Sequence, residues 1–312
     1  AAVAQRPEGR ADREVIDAVN GLLAQVASAE QLAEIEASSL DPSLVAAESE
    51  RELRKELVES RSEPSLDAFL PRSGGRLRLS ATDIDLYLSC PLKYKFARVF
   101  SIPTPRTVNQ RFGILIHDVL ERFHRDGGEA DPGELVGMME SGWARAGLED
   151  SADEVQFRER ARDALARYHQ LEAGSESEPI WFERKFEFDL GPYRVTGRVD
   201  RVDRHPDGSL ELIDYKTGAP VDPERLGGDL QLTLYRLAAE RAWEVEPSVL
   251  TYYYVMEPTR STIESGPEDI ERVERTVAEV GEAILAQDFE PTPSPAACSW
   301  CDFRTVCPAA EA

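Results

Sequence analysis

The order of helical and strand patterns along the chain predicts an α/β fold whose mixed sheet is flanked by helices. Three strand-like segments, "IWFERKFEFDL", "YRVTGRVDRVDRH" and "LELIDYK", follow one another between residues 180 and 216. Helical periodicity precedes them and returns in "DLQLTLYRLAAERAW", after which "VLTYYYV" adds another strand. The core order α–β–β–β–α–β is typical of an α/β sandwich.

Size and composition limit the architecture and the class of protein. The 312 residues, 41% hydrophobic and 30% charged, suffice for one sizeable core with an appendage or for two modest domains. The sequence has no run of eighteen apolar residues, so we expect no membrane span. The net charge of −23 counts against non-specific coating of nucleic acid. Four cysteines without a secretory signal indicate a reducing cytoplasm.

Residues 1–75 are predicted to form a helical arm or linker, separate from a domain at 76–312. Apolar residues recur at helical spacing from Val15 to Val26, and "ERELRKELVESR" continues the pattern. Pro71 and the Gly74-Gly75 pair then indicate a boundary. The chain opens on "AAVAQRPEGR", with neither an initiator Met nor a signal pattern, so we expect it to continue upstream.

The sequence predicts several helices at the start of the domain, from capping residues and from apolar residues at helical spacing. Ser80 followed by Asp83 imitates a capping box, with Asp in place of Glu. "RFGILIHDVLERFHRD" predicts an amphipathic helix with Ile114, Val119 and Phe123 among its apolar positions, and "DEVQFRERARDALARYHQLEA" predicts another. After the strands, a charged helix at about 267–287 leads into a tail rich in Pro and Cys.

Acidic residues on the second and third strands are candidates for a metal site. Asp214 and Lys216 are two residues apart and should share one face. Pro206-Asp207-Gly208 predicts a hairpin that can bring Asp200 onto that face. Two carboxylates in one site repel unless a cation intervenes, and Mg²⁺ or Mn²⁺ prefers oxygen ligands. The alternative is a hairpin whose polar face makes ordinary salt bridges.

Two helices add polar residues that the sheet could meet. Gln231 and Tyr235 lie at i and i+4, on one face of the helix after the Lys216 strand. His117 follows Gly113 by four residues on an otherwise apolar helix. Taken alone, the first pair more often forms the polar edge of a packed helix, and a lone histidine of this kind is more often a hydrogen-bonded core residue than a ligand.

The ordered set Gly113-x-x-x-His117, "GRVDRVD", Asp214-x-Lys216 and Gln231-x-x-x-Tyr235 resembles the PD-(D/E)XK nuclease domain of the RecB type. That domain occurs at the C-terminus of RecB and of AddA, AddB, AdnA and AdnB helicase–nucleases, and in CRISPR-associated adaptation nucleases. The resemblance covers roughly residues 77–310. It implies a set of ligands for a divalent metal: His117, Asp200, Asp214 and the backbone carbonyl of Tyr215.

The resemblance also implies roles for the remaining candidates. Lys216 would be the catalytic lysine, acting with Asp214 and Asp200. Gln231 and Tyr235 would contact DNA or support the site. Glu183, on the first strand, matches a loosely defined acidic position of the family.

The four cysteines form a second pattern, with Cys298, Cys301 and Cys307 in a C-x₂-C-x₅-C run and Cys90 far upstream. A reducing compartment argues against two disulfides. Four thiolates could hold Zn²⁺ or a 4Fe–4S cluster. The resemblance implies the 4Fe–4S cluster, because AddB-like nucleases carry one Cys ahead of the His motif and three near the C-terminus. A crosslink of this kind would offset the entropy of closing a very long loop.

Cations alternate with aromatic residues directly after Cys90, in "CPLKYKFARVF". Such a pattern suits single-stranded DNA, through phosphate pairing and base stacking. The alternative is that Tyr94 and Phe96 pack against the cysteine cluster.

The resemblance implies a Mg²⁺- or Mn²⁺-dependent deoxyribonuclease, expected to act as an exonuclease in DNA end processing and recombinational repair. DNA would be its substrate, and a UvrD-like helicase, fused or assembled, its partner. The chain has no Walker-type phosphate loop, so any motor must lie elsewhere. Two alternatives stay open: a DNA-binding or scaffold module with little cleavage, and a stand-alone exonuclease of the same family.

Overall fold

A computed structural model describes residues 31, 34, 37, 65–128, 131–149, 151–222, 226, 229–263 and 265–311. The contacts divide the chain into two units, Ala1–Leu66 and Asp67–Ala312. Almost all of the arm predicted for residues 1–75 lies outside the described residues. The second unit begins at Asp67, and the fold described below is that of this unit.

A mixed sheet of seven strands forms the centre of the second unit. The strands are β1 (Arg72–Ser73), β2 (Arg76–Leu79), β3 (Glu178–Leu190), β4 (Tyr193–Arg204), β5 (Leu210–Lys216), β6 (Val249–Tyr254) and β7 (Thr259–Ile263). Their order is β1-β2-β4-β5-β6-β7, and β3 pairs with β4. The β2–β4 and β5–β6 pairs are parallel and the others antiparallel. The predicted α/β fold with a mixed sheet is therefore confirmed.

Helices flank the sheet. They are α1 (Ala81–Ser89), α2 (Pro91–Tyr94), α3 (Val108–Arg125), α4 (Pro132–Trp143), α5 (Ala152–Ala173), α6 (Leu230–Ala242), α7 (Pro267–Leu285) and α8 (Pro295–Ser299). The predicted capping box is present: Asp83 N donates to Ser80 Oγ, and Ser80 N donates to the Asp83 carboxylate. None of the helices within the described ranges has the length and apolarity needed to cross a bilayer.

A hydrophobic cluster lies between one face of the sheet and the helices α3, α4 and α5. Phe112, Ile116 and Phe123 of α3 are buried there against Ile213 and Tyr253 of the strands. Ile114, which the sequence placed among the apolar positions of this helix, is instead 51% exposed. The buried face of α3 follows residues three and four apart, and Ile114 lies off that stripe.

A gap at one edge of β4 makes room for the site. The strand β3 pairs with β4 along its length, so β2 and β5 share the other edge of β4, at 193–195 and 201–204. Between these stretches β4 pairs with neither of them. There Asp200 Oδ2 accepts a hydrogen bond from Tyr215 N at 2.8 Å. Where β4 and β5 diverge, the side chain of Asp200 thus accepts the hydrogen bond from Tyr215 N that a backbone carbonyl of β4 would accept in a continuous sheet.

Candidate metal centre and active site

A cleft of about 800 Å³ opens where β4 and β5 diverge, between the N-terminal half of α3 and the start of α6. It brings together nearly all of the residues that the motifs singled out. The lining includes Gly113, His117, Glu183, Asp200, Asp214, Tyr215, Lys216, Gln231 and Tyr235. Side chains separated by more than a hundred residues in the chain therefore face one space.

Three of these side chains offer ligand atoms that lie within 4.8 Å of one another: His117, Glu183 and Asp200. His117 Nδ1 is 3.3 Å from Asp200 Oδ1 and 3.9 Å from Glu183 Oε1. One nitrogen and two carboxylate oxygens form a donor set that suits a hard divalent cation completed by water.

The register of the β3–β4 pair explains why Glu183 belongs to this group. Phe182 pairs with Arg201 and Arg184 with Val199, so Glu183 lies directly opposite Asp200. The backbone of Glu183 has φ +46°, in the left-handed region that costs a non-glycine residue roughly 1–3 kcal/mol. Strain of this kind persists where surrounding packing fixes the conformation, and it is frequent at functional sites.

Asp214 lies outside the three-ligand group. It is contacted by Lys216 of its own strand and by Gln231 and Tyr235 of α6. Lys216 Nζ is 2.6 Å from Asp214 Oδ2, which confirms that the two side chains share a face. Gln231 Nε2 and Tyr235 OH donate to Asp214 Oδ1 at 2.9 and 3.0 Å. Lys216 Nζ also donates to Gln231 Oε1 at 2.8 Å. The lysine and one oxygen of the acid are therefore held by α6.

Tyr252 supports this arrangement and was missed by the sequence reasoning. It is the partner of Asp214 in the β5–β6 register, and its ring lies 4.4 Å from Lys216 Nζ. Its hydroxyl donates to Asp229 Oδ1 at 2.7 Å and lies 3.2 Å from Gln231 Oε1. The ring and the amide together restrict where the ammonium can lie.

Tyr215, between the acid and the lysine, turns its side chain away from the cleft. Its hydroxyl is buried and lies 2.8 Å from Tyr168 OH, and Arg201 contacts both hydroxyls. Arg201 is 1% exposed and makes two hydrogen bonds of 2.5 Å to Asp203. A buried ionic network therefore fixes the strand from behind, while the backbone of Tyr215 faces Asp200.

The electrostatics of the cleft indicate an excess of negative charge. Burial raises the pKa of Glu183 to about 7, and the charge of Asp200 adds to the effect. Burial and Asp200 also raise the pKa of Asp214. Burial opposes protonation of His117, but its hydrogen bond to Asp200 and the surrounding carboxylates raise the pKa of the imidazole overall. A cation bound here would relieve all three effects.

Two buried oxygens support the same interpretation. Glu183 Oε2 and Asp214 Oδ2 accept no hydrogen bond from any described residue, although Arg198 and Lys216 lie within ion-pair distance of them. Buried polar atoms normally have hydrogen-bond partners, so such atoms indicate a missing ion or water. The residues present therefore fit a divalent metal.

The four cysteines carry no disulfide and line one cavity of about 240 Å³ beside α2 and α8. Within the described residues, no three of their sulfur atoms lie within 4.8 Å of one another. Four thiolates on one Zn²⁺ would lie closer together, because each Zn–S bond is about 2.3 Å. The tail is held nearby, since Tyr87 OH donates to the carbonyl of Asp288 at 2.6 Å.

Two aromatic residues after Cys90, Tyr94 and Phe96, pack against other aromatic rings, whereas Phe100 is 47% exposed. Tyr94 is fully buried, and Lys95 is 8% exposed. Phe96 meets Phe303 of the tail, with ring centroids 5.6 Å apart. Tyr94, which lies beside Tyr87 and Phe289, is therefore not available to stack on a base, and Phe96 lines the cysteine cavity as the packing alternative expects. Contact between DNA and the rest of this stretch stays a prediction. The sequence pattern could not separate base stacking from packing, because both place aromatics between cations.

Comparison with known proteins gives one broad family match and several partial ones. A sequence model described as the PD-(D/E)XK nuclease superfamily matches residues 78–308. The Gene 69 protein of Mycobacterium phage L5 is 34% identical over 132 residues, covering 40% of this chain and 43% of the relative. The Gene 69 protein of Mycobacterium phage D29 is 32% identical over 149 residues, covering 43% of this chain and 53% of the relative. The chain thus spans about half the length of these relatives, or less.

Among solved structures, a candidate exonuclease from Eubacterium rectale is 13% identical, with a TM-score of 0.49. The match covers 81% of this chain and 94% of that one. At this level of similarity it carries no argument about activity.

Proposed function

This chain belongs to the PD-(D/E)XK nuclease superfamily, and from that premise we propose that it is a Mg²⁺- or Mn²⁺-dependent deoxyribonuclease. The observation that carries the proposal is the group of His117, Glu183 and Asp200, whose ligand atoms lie within 4.8 Å of one another. Asp214 and the carbonyl of Tyr215 would complete the site from the neighbouring strand. A bound ion would lower the pKa of a coordinated water and offset charge on the phosphate.

The residues of the chain divide the remaining work. Lys216 would stabilise negative charge that develops on the phosphate, because Asp214 and Gln231 hold its ammonium at the mouth of the cleft. Gln231 and Tyr235 would keep Asp214 oriented and ionised. Asp200 would be held in place by the Tyr215 amide. In this proposal the cleft binds the scissile phosphodiester of DNA at a strand end.

A cleavage assay tests the proposal. Linear single-stranded DNA is incubated with Mn²⁺ and the wild type, Lys216→Ala or Arg125→Ala, whose side chain is exposed at the end of α3. We expect EDTA to abolish cleavage, and Lys216→Ala to slow it by roughly 10²–10³-fold while Arg125→Ala does not. Cleavage that persists in Lys216→Ala at the wild-type rate would contradict the site assignment. Binding without cleavage by the wild type would favour the scaffold alternative.

We also propose a 4Fe–4S cluster on Cys90, Cys298, Cys301 and Cys307. All four side chains line one cavity, and thiolates on four different irons lie farther apart than on one zinc. The protein should purify brown, with iron and acid-labile sulfide. Stoichiometric zinc without iron after anaerobic preparation would overturn the cluster. None of these cysteines forms a disulfide, which is typical of a reducing compartment, so we also propose that the protein is cytoplasmic.

We propose further that the domain works with a UvrD-like motor in DNA end processing. The net charge of −23 supports this, because an acidic domain gains little from its own field when it must find a polyanion. A motor would deliver the strand to the cleft. The stand-alone exonuclease would instead degrade DNA at a rate that an added motor does not change.

A further inference from the structure

The outer face of the β3–β4 pair carries an uneven series of charges. Outside the lining of the cleft, Asp189 lies opposite Arg194, and Arg194 Nε donates to Asp189 Oδ1 at 2.6 Å. Arg194 also donates to Glu187 at 2.6 Å. Opposite charges facing each other across two strands stabilise the pairing. At this end of the hairpin, the positive charge of Arg194 is therefore paired with the negative charges of Asp189 and Glu187.

Toward the cleft the pattern changes to like charges. Lys185 lies directly opposite Arg198, and both are exposed. Like charges in this position destabilise a sheet. Lys185 makes no ion pair or hydrogen bond with any residue that the structure describes. Two positions along these strands, between the pairs Arg184–Val199 and Phe182–Arg201, Glu183 lies opposite Asp200 by counting. A basic pair is thus adjacent to the acidic pair of the candidate metal centre.

Arg198 connects the two pairs. Its guanidinium contacts Glu183 Oε2, yet its side chain is 53% exposed and lines the cleft. Among the described residues that line the cleft, the only other Lys or Arg is Lys216, which Asp214 and Gln231 already hold. Lys185 does not line the cleft itself, but it is exposed directly opposite Arg198, so the two cations are neighbours at the β3–β4 side of the cleft. Positions two residues apart on a strand are separated by about 6.6 Å, comparable to the step between successive phosphates of a nucleic-acid strand.

We propose that Lys185 and Arg198 bind phosphodiester groups of the DNA strand next to the bond that is cut. The inference rests on the proposed nuclease function and adds residues that position its substrate. Contacts to phosphate fix the register of the strand without reading its sequence. Arg198 is held by Glu183 Oε2, and a divalent cation on Glu183 would weaken this ion pair and leave the exposed guanidinium free to contact a phosphate. The repulsion between Lys185 and Arg198 is then relieved by the anion that they share.

The test measures binding of a fluorescent single-stranded oligonucleotide by anisotropy, with Mg²⁺ and at several salt concentrations. Lys216→Ala serves as the common background so that the strand stays intact. Adding Lys185→Ala should weaken binding roughly fivefold and lower the slope of log K against log salt by about 0.7. Lys185→Arg should keep both values. Arg198→Ala should also weaken binding and lower the slope.

Arg194→Ala is the matched control, because it removes a cation from the strand that carries Arg198, at a position outside the lining of the cleft. It should leave the affinity and the salt slope unchanged. Lys185→Ala should also leave the thermal midpoint unchanged or raise it, since it removes a repulsion. A variant that loses binding through misfolding would lower the midpoint, which separates the two explanations.

Different outcomes separate this inference from the proposed function. If the wild type cleaves DNA but Lys185→Ala and Arg194→Ala bind alike, the phosphate contact is wrong and the nuclease stands. If the wild type does not cleave but binding depends on Lys185, the contact stands and the nuclease is wrong. An oligonucleotide that does not bind at all would overturn the inference.

Discussion

Replacing Glu183 by glutamine should stabilise the metal-free protein at alkaline pH. Burial, reinforced by Asp200, raises the pKa of Glu183 from its usual 4.5 to about 7. The folded protein therefore holds this proton more tightly than the unfolded chain does. As pH rises from about 4.5 to about 7 the unfolded chain loses the proton first, so the stability of the wild type falls across that window. The neutral amide of the Glu183→Gln variant has no such proton to lose.

The size of the effect follows from the same pKa. At about 1.4 kcal/mol per pH unit, the change from 4.5 to about 7 corresponds to roughly 3 kcal/mol. The side chain is 7% exposed, but it lines an open cleft and lies beside Arg198, so screening by solvent reduces the expected gain to about 1–2 kcal/mol. The gain should be complete near pH 8 and absent near pH 4.5.

Urea unfolding in EDTA at both pH values measures the free energies of unfolding. Glu257→Gln, an exposed substitution in the turn between β6 and β7, is the control and should show no pH-dependent gain. Adding Mg²⁺ should reverse the order, because the wild type gains stability from a bound ion and Glu183→Gln gains less. A variant that is less stable than the wild type at pH 8 in EDTA would refute the electrostatic reasoning.

Three further outcomes are expected. Arg201→Met should destabilise the fold by about 3–5 kcal/mol in urea unfolding, since it leaves the fully buried Asp203 unpaired, and a loss below about 1 kcal/mol would contradict the buried network. Tyr235→Phe removes one hydrogen bond to Asp214 and should lower kcat by roughly tenfold with KM little changed; an effect on KM alone would place Tyr235 in substrate binding. Tyr252→Leu should lower kcat more than Tyr252→Phe, because only the former removes the ring beside Lys216; equal loss in both would assign the effect to the hydroxyl.

The parts of the fold that were predictable are those set by local patterns. Strands β3 to β5 are long and joined by tight turns, so their existence and order follow from periodicity. The placement of Asp214 and Lys216 on one face follows from strand alternation alone, and their 2.6 Å contact confirms it. The position of His117 beside Asp200 and Glu183 could not be predicted from strand alternation, because it depends on how α3 packs across the sheet.

Other features depend on register and packing that a single sequence does not display. Tyr252 lies beside Asp214 through a parallel pairing, and no turn fixes the register of β5 against β6. Glu183 could have been placed more firmly, because the turn that pairs Leu190 with Tyr193 sets Glu183 opposite Asp200 by counting back. The left-handed backbone conformation of Glu183 could not have been predicted from the sequence, since glutamate rarely adopts it.

Equilibrium binding of Mn²⁺, measured by isothermal titration calorimetry, tests the metal centre most directly. The wild type, Asp200→Ala and Asp118→Ala are compared, because Asp118 is an acid of the same cleft that is 60% exposed and outside the group of three ligands. We predict one Mn²⁺ site in the wild type, its retention in Asp118→Ala and its loss in Asp200→Ala. Equal Mn²⁺ binding by Asp200→Ala and the wild type would contradict the metal centre.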